Sequence, residues 1–470
     1  MASVRPLDFL DGAATAVART AGRWARRRGH NGTSLPGLLA ERIAPGITGR
    51  LASELDAIAV ITGTNGKTTT THLLDHILVS TGTDVVTNRS GANLSQSIST
   101  TLLEVASTAM VGRRRAAVLE CDEFALADVV AEIQPNALIL TNLFRDQLDR
   151  FAEIDEIERR WGALIAALVK TTIVAPADDP RLAWLATHAP GGCLLYGIRS
   201  TALSRSEVGL THDSEDCPSC GSVLEYEWQT IGHLGSFRCP ACGFARPKPW
   251  LDVEIVESRG FDGQTLQLTW PGAPNGAQLS LSLPGLGNAY NVAAAICSAR
   301  EFGVDPQHAV GALSTATNTW GRFESVSVEG RRLILALGKN PASVAELIEI
   351  ASASDIGGVM FVMNDNFQDG RDVSWYWDVN PATIVRGRSC AIAGTRALDF
   401  ALRLKYERLG QQQQDRAELA LTFDDPMGAL RWLIDRTTAG ATVVAIATYT
   451  GLLQLREALV ARQIAQRMPV

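Results

Sequence analysis

Residues 57–80 constrain the fold more tightly than any other stretch of this 470-residue chain. Ala57–Thr62 (AIAVIT) is an unbroken apolar run of strand length, and Thr68–Ser80 carries the apolar periodicity of a helix. Between them lies Gly63-Thr64-Asn65-Gly66-Lys67. A strand that turns through glycines straight into a helix presents free N–H groups of the helix start beside the strand end. The glycines let the backbone approach oxyanions, Lys67 brings positive charge to terminal phosphates, and Thr68 is placed to offer its hydroxyl to Mg²⁺. The wider G-x-x-x-x-G-K-[ST] pattern is incomplete, because Ile61 stands at its first glycine. A chance Gly-Lys-Thr turn is the bland alternative, but the strand before and the helix after favour nucleotide binding.

The same rhythm of short apolar runs and helical patterns continues, as in an α/β chain with parallel sheets. Ala116–Glu120, Ala137–Thr141 and Thr171–Ala175 read as strands, and Ile154–Val169 as a helix. Residues 205–250 break the pattern and read as an insertion. Leu251–Val256 and Thr265–Trp270 resume as strands, followed by a helix from Asn288. A second α/β unit is expected after Trp320–Glu324, with strands at Leu333–Leu337, Gly358–Met363, Cys390–Ala393 and Thr442–Ala447 and a helix at Ser343–Ala351. The expected division is a basic segment 1–45, a central nucleotide-binding domain 46–320 and a smaller Rossmann-like domain 321–470. Gln411–Gln414 reads as a loop.

Net charge is −7, which disfavours a broad grip on nucleic acid. The uncharged stretch Thr437–Leu455 contains five Thr and two Gly, so it reads as strand, turn and helix rather than a membrane span. No signal peptide is evident, and a cytoplasmic location is expected. Residues 1–50 hold eight Arg against Asp8, Asp11 and Glu41. A solvated helix face is the favoured reading, and a weak attraction to an anionic membrane surface the sharper alternative.

Eight cysteines are too few for a disulfide scaffold of this length. Cys121, Cys193, Cys297 and Cys390 stand among apolar residues and read as buried thiols. Cys217-Pro218-Ser219-Cys220 and Cys239-Pro240-Ala241-Cys242, eighteen residues apart and each followed by glycine (Gly221, Gly243), form two C-x-x-C knuckles. Four thiolates close a tetrahedral Zn²⁺ shell with no position left for water, so the metal expected here is structural; redox pairs are the alternative. His233, between the knuckles, is then expected at the surface.

Gly-Thr-Asn-Gly-Lys-Thr resembles the Mur ligase superfamily, ATP-dependent amide-forming enzymes that activate a carboxylate as an acyl phosphate. On that resemblance Gly63, Thr64, Asn65, Gly66, Lys67, Thr68 and Thr69 hold the nucleotide. Glu120, in Glu120-Cys121-Asp122-Glu123, looks like an acidic ligand for Mg²⁺. Asn288 and Asn291 resemble an adenine-contacting pair, with Gly287 where a His often stands, and Arg322 looks like an interdomain arginine that meets the nucleotide. One departure is clear: Leu337-Gly338-Lys339-Asn340-Pro341 replaces the usual Asp-Tyr-Ala-His-x-Pro, which puts the usual C-terminal handling of nucleotide and amino acid in doubt.

Asn364–Asp378 places four carboxylates beside an aromatic run at the expected end of a strand, where α/β folds carry functional loops. A solvated loop over two core tryptophans is the bland alternative, but the density of acids and aromatics in fifteen residues favours function. Together with the ribbon and Leu-Gly-Lys-Asn-Pro, Asp369-Gly370-Arg371-Asp372-Val373-Ser374-Trp375-Tyr376-Trp377-Asp378 is similar to the MurT family, Mur ligase-like synthetase subunits of lipid II isoglutaminyl synthase; Thr141–Arg150 (TNLFRDQLDR) fits the same subunits. The resemblance implies ATP-dependent amidation of the D-glutamate α-carboxylate of lipid II at the membrane surface, with ammonia from a GatD-like glutaminase in a heterodimer. It also implies that a carboxylate of this chain, Asp372 or else Asp369, completes the partner's Cys-His pair. A folylpolyglutamate synthase or amino-acid-adding ligase, and a nucleotide-gated scaffold, are the competing expectations.

Overall fold

The computed structural model describes residues 9–28, 34–88, 93–105, 114–146, 154–199, 213–316, 323–410 and 421–465. Three helices lead in: α1 (Phe9–Arg27), α2 (Leu35–Ile43) and α3 (Ile47–Ala52). They are followed by β1 (Ala57–Thr62), α4 (Lys67–Ser80), β2 (Asp84–Thr87), α5 (Ser95–Val105) and β3 (Arg115–Glu120). Next come α6 (Leu126–Ile133), β4 (Ala137–Leu140), α7 (Ile154–Ala166), β5 (Thr172–Pro176), α8 (Pro180–Thr187) and β6 (Cys193–Ile198). A small hairpin, β7 (Glu225–Gln229) and β8 (Gly235–Arg238), precedes β9 (Leu251–Ser258), β10 (Gln264–Trp270), β11 (Ala273–Leu281), α9 (Leu286–Glu301) and α10 (Pro306–Leu313).

The first sheet runs β11-β10-β9-β6-β5-β4-β1-β3-β2, parallel from β9 to β2 with β10 and β11 antiparallel at its edge. The chain places β3 on one side of β1 and β4 on the other, so the turn after β1 opens at the point where strand order reverses. β1 is apolar throughout because both its faces are covered. Ala57, Ala59 and Ile61 face the core shared with α4 and α9, and Ile58 and Val60 the core shared with α5, α6 and α7.

The second unit begins with β12 (Glu324–Val328), β13 (Arg331–Leu337), α11 (Pro341–Ser352), β14 (Gly358–Val362) and α12 (Ala382–Val385). It continues through β15 (Ser389–Ala393), α13 (Ala397–Gly410), β16 (Leu421–Phe423), α14 (Pro426–Ile434), β17 (Thr442–Ala447) and α15 (Tyr449–Ala461). Its sheet runs β12-β13-β17-β14-β15-β16, parallel except for β12. The segment Thr437–Leu455 is strand, turn and helix, as its interrupting Thr and Gly imply. Gln411–Gln414 lies outside the described residues.

One expectation about the scattered thiols fails. Cys193 is exposed, because it opens β6 directly after the Gly191-Gly192 turn; Cys121, Cys297 and Cys390 are buried. The lead-in helices also carry a buried face: Ala14, Ala18, Ala40 and Ala44 join the same core as β1. Among the described residues, no helix is long and apolar enough to cross a membrane.

Trp161 of α7 is one of the largest fully enclosed side chains, and its indole N–H donates to the Glu123 carbonyl at 3.2 Å. Trp161→Ala is expected to cost about 3–5 kcal/mol, read as a lower urea midpoint with an unchanged slope.

Candidate active site

The turn between β1 and α4 is enclosed by its neighbours. Gly63 and Gly66 have φ of +129° and +89°, a region that disfavours any side chain. A Cβ at Gly63 would stand 2.3 Å from Thr141 Oγ1, and one at Gly66 2.1 Å from Asn291 Oδ1. The end of β4 holds the turn: Asn142 Oδ1 accepts from Asn65 N at 2.9 Å, while Thr141 Oγ1 and Asn142 Nδ2 both donate to Asn65 O. Thr64 N donates to Asn142 O. α4 starts at Gly66 without a side-chain cap, leaving N–H groups of its first turn for an anion.

Lys67 Nζ donates to Gly63 O and forms an ion pair with Glu123 at 2.8 Å. Burial pulls the ammonium pKa down, but the Glu123 carboxylate, followed by Asp146 and Asp122, outweighs it, and the group stays above the ordinary lysine value. Thr68 Oγ1 donates to Glu120 Oε2 at 3.2 Å, so the two residues expected to share Mg²⁺ are adjacent. Asn88 brackets the Glu120 backbone, bonding both its N–H and its C=O at 2.8 Å. Burial, then repulsion from Glu123, raises the Asp122 carboxyl above its usual range. Glu120, Asp122 and Glu123 therefore gather more negative charge than Lys67 offsets. Thr69 is buried under the turn.

A cleft partly open to solvent starts at Asn65 and Gly66 and is lined by Asn288, Asn291, Tyr290, Ile231, Leu234 and Glu346, among others. Thr70 Oγ1 donates to Asn291 Oδ1 at 3.3 Å, and Asn291 Nδ2 donates to Asn288 Oδ1 at 3.2 Å, so the asparagine pair lies against the phosphate turn. Glu346, on α11 of the second unit, accepts the Gly287 N–H at 2.6 Å. Arg322 lies outside the described residues; Phe323, next to it, lines the cleft.

The second unit also grips the turn. Lys339 Nζ donates to Thr64 O at 3.0 Å and to Asp146 Oδ2 at 2.6 Å, and Asn340 Nδ2 donates to Asn65 Oδ1 at 3.0 Å while its own oxygen caps α11. A further recess is lined by Arg145, Asp146, Lys339, Asp369, Asp372 and Asp378, among others. Asp369 is buried, and both its oxygens accept from Thr450. Asp372 is only partly buried and accepts from Ser374 N at 2.8 Å.

The four clustered cysteines converge. Their sulfurs all lie within 4.8 Å of one another, with Cys217–Cys242 at 3.6 Å and Cys220–Cys239 at 3.5 Å. Thiolates on a tetrahedral metal at about 2.3 Å stand roughly 3.8 Å apart, so the set fits one ion. A disulfide would need about 2.05 Å. Gly221 and Gly243 take φ of +73° and +79°, and their N–H groups bond back to Cys217 O and Cys239 O, closing matched knuckles. His233 is not at the surface: it is fully buried, its Nε2 lies 3.3 Å from Asp179 Oδ2, and its ring packs on Phe144 at 5.1 Å. The hairpin tip turns inward, which the polar composition around it concealed.

Residues 61–237 match the Mur ligase middle domain, and residues 337–452 match the MurT ligase C-terminal domain. The lipid II isoglutaminyl synthase (glutamine-hydrolyzing) subunit MurT of Staphylococcus aureus is 32% identical over 83% of this chain and 86% of its own. The chain belongs to the MurT family. The MurT subunit of Streptococcus pneumoniae is 31% identical over 93% of this chain and 94% of its own. Two solved structures share the fold. A pseudomurein peptide ligase type C from Methanothermus fervidus has a TM-score of 0.65 at 20% identity, over 87% of this chain and 79% of that one. MurF from Acinetobacter baumannii has 0.63 at 18%, over 91% and 80%. Membership of this MurT family, with its Mur ligase domain, implies use of ATP and a ligase role in peptidoglycan synthesis.

Sequence reasoning missed Glu123, Glu346, Ile231 and Leu234 as parts of the site. Glu123 was within reach as the third acid of Glu120-Cys121-Asp122-Glu123; the others come from elements remote in sequence. Glu346 yields a pH signature. Burial lifts its carboxyl to about 7, with only the Gly287 N–H opposing. In the unfolded chain it ionises near 4.3, so between the two values the unfolded state releases a proton that the folded state keeps. Rising pH therefore erodes stability across that window, and the loss is complete above about 7. Glu346→Gln is expected to gain stability relative to the parent as pH rises from 5 to 8, read from urea midpoints; a pH-independent difference would refute the burial effect.

Proposed function

We propose that this chain is the synthetase subunit that converts the α-carboxylate of D-glutamate in the lipid II stem peptide to the amide of D-isoglutamine. The carboxylate attacks the γ-phosphorus of ATP, giving an acyl phosphate and ADP. Ammonia then attacks the acyl carbon and inorganic phosphate departs, leaving the amide. The observation that carries this reading is the junction at residues 63–67, where a Mur ligase phosphate turn is gripped by Lys339 and Asn340 of a MurT-type second unit.

Each residue has a defined task in this scheme. Backbone N–H groups in the first turn of α4 and the Lys67 ammonium take up charge on the transferred phosphoryl group. Thr68 and Glu120 would hold Mg²⁺, which supplies further neutralisation of the phosphate oxygens; the surplus of carboxylates around Lys67 suits a divalent cation. By the family resemblance Asn288 and Asn291 would contact the adenine, and Arg322, outside the described residues, would meet the nucleotide. The four cysteines hold Zn²⁺ as a structural ion, since a complete thiolate shell leaves no site for substrate. An amino-acid-adding ligase would use its last domain to hold an amino acid. Here Lys339 and Asn340 are turned onto the phosphate turn itself, in keeping with a nucleophile as small as ammonia.

Ammonia would come from a GatD-like glutaminase. Asp372 suits the task of orienting that partner's histidine better than Asp369, whose two oxygens are occupied inside the domain. Leu398, Leu402 and Tyr406 form an exposed stripe along α13, with Trp377 packed 5.9 Å from Tyr406, and offer the partner an apolar face beside this loop.

With the glutaminase, ATP and glutamine, the purified chain is expected to give a lipid II product lighter by about one dalton, hydroxyl exchanged for amino; ATP consumption without that product would sink the reading. Lys67→Ala should abolish amidation from either nitrogen source. Asp372→Asn should keep amidation driven by free ammonia and lower the glutamine-driven rate on the order of 10³- to 10⁴-fold, as loss of a triad carboxylate does. Equal loss of both would move Asp372 into the synthetase site. Serine at all four clustered cysteines should release one zinc per chain and lower the melting temperature; unchanged metal content would refute the ribbon.

A further inference from the structure

Residues 12–40 contain five arginines and no acidic residue. In α1 the inner face, with Asp11, Ala14, Thr15, Ala18 and Ala25, is buried, and Asp11 pairs with Arg50 at 2.7 Å. The outer face has a different composition. Leu10, Val17 and Trp24 are 59%, 46% and 51% exposed. Their seven-residue spacing keeps them on one side of the helix, within about 20° per step, over about 21 Å. Arg23, Arg27 and Arg28 are exposed around the same end, and the Arg28 guanidinium lies 4.1 Å from the Trp24 ring centroid.

We infer that the outer face of α1 is a peripheral docking surface for a bilayer carrying anionic phospholipid. Aliphatic side chains gain by entering the headgroup–acyl boundary, an indole is favoured at headgroup level, and arginines at the rim meet lipid phosphates. A nucleic-acid backbone would satisfy the arginines but give no gain for Leu10 and Val17. The stripe is convex and single, so a membrane accommodates it without a matching groove. The inference is independent of the amidation reading, because it needs neither lipid II nor nucleotide.

The test uses the full chain and flotation with vesicles free of lipid II, of phosphatidylcholine alone or mixed with phosphatidylglycerol. Binding is expected only to the mixed vesicles and should weaken as salt rises. Each arginine near the surface contributes about fivefold, so Arg23→Gln with Arg27→Gln and Arg28→Gln should lower the partition coefficient on the order of 100-fold. Trp24→Ser and Leu10→Ser, far apart on the same face, should each weaken binding with the charge unchanged and the melting temperature preserved. Absent binding, equal binding to both vesicle types, or binding indifferent to these substitutions would overturn the inference. So would a dimer that Trp24→Ser dissociates in the absence of vesicle binding, which would make a second copy the occupant.

Discussion

The backbone of residues 63–66 has no room for a Cβ at either glycine, and the rest of the site is arranged around that fact. Thr141 and Asn142 just after β4, Asn291 from α9 and Lys339 from the second unit all reach the same few peptide groups, and Asn340 holds the Asn65 side chain. Holding a turn residue in one conformation costs about 1–2 kcal/mol of entropy each. Folding meets that cost before a ligand arrives, so N–H groups aimed at an anion need no rearrangement when charge develops on it.

Charge balance explains the neighbourhood of Lys67. A mostly buried ammonium without a partner would lose its proton or disrupt the fold. Glu123 prevents this, and Trp161 fixes the backbone from which Glu123 projects. Glu120, bonded to Thr68, and Asp122 add two more carboxylates at the same strand end. A nucleotide entering with a cation would balance both sides of this arrangement, whereas a bare polyphosphate would meet the acids unshielded.

The parts legible in the sequence are those whose cause is local. β1 and β17 coincide with their apolar runs, because strands covered on both faces read as continuous hydrophobic segments. The cysteine knuckles were legible because their spacing and following glycines set the geometry within a few residues. β2 and β11 were not: DVVT is short and half-buried, and APNGAQLSL has no clean alternation, since each lies at a sheet edge. α1 showed only its arginines, because its buried face is made of alanines, which hardly register as an apolar stripe. His233 and Glu346 owe their places to elements distant in sequence, and Lys339 stood in a motif whose departure from the usual pattern was visible while its contacts were not.

The ribbon shows how a poorly apolar insertion can supply an apolar wall. A lone two-stranded hairpin is marginal in water. β7 and β8 are held at one end by the cysteine knuckles, whose Cys217 and Cys239 share a small core with Leu224, Phe237 and Ala183 of α8. The other end is held by buried polar contacts: Thr230 Oγ1 lies 3.0 Å from the Tyr290 hydroxyl, Tyr290 donates to Asp178 at 2.7 Å, and Arg246 donates to the same carboxylate at 2.6 Å. His233 beside Asp179 adds to this anchorage. With both ends fixed, Ile231 and Leu234 can face the cleft without collapsing away from it. The four cysteines therefore reach the site through the placement of two aliphatic side chains, which is the way a closed-shell metal bound there would matter to a ligand it never touches.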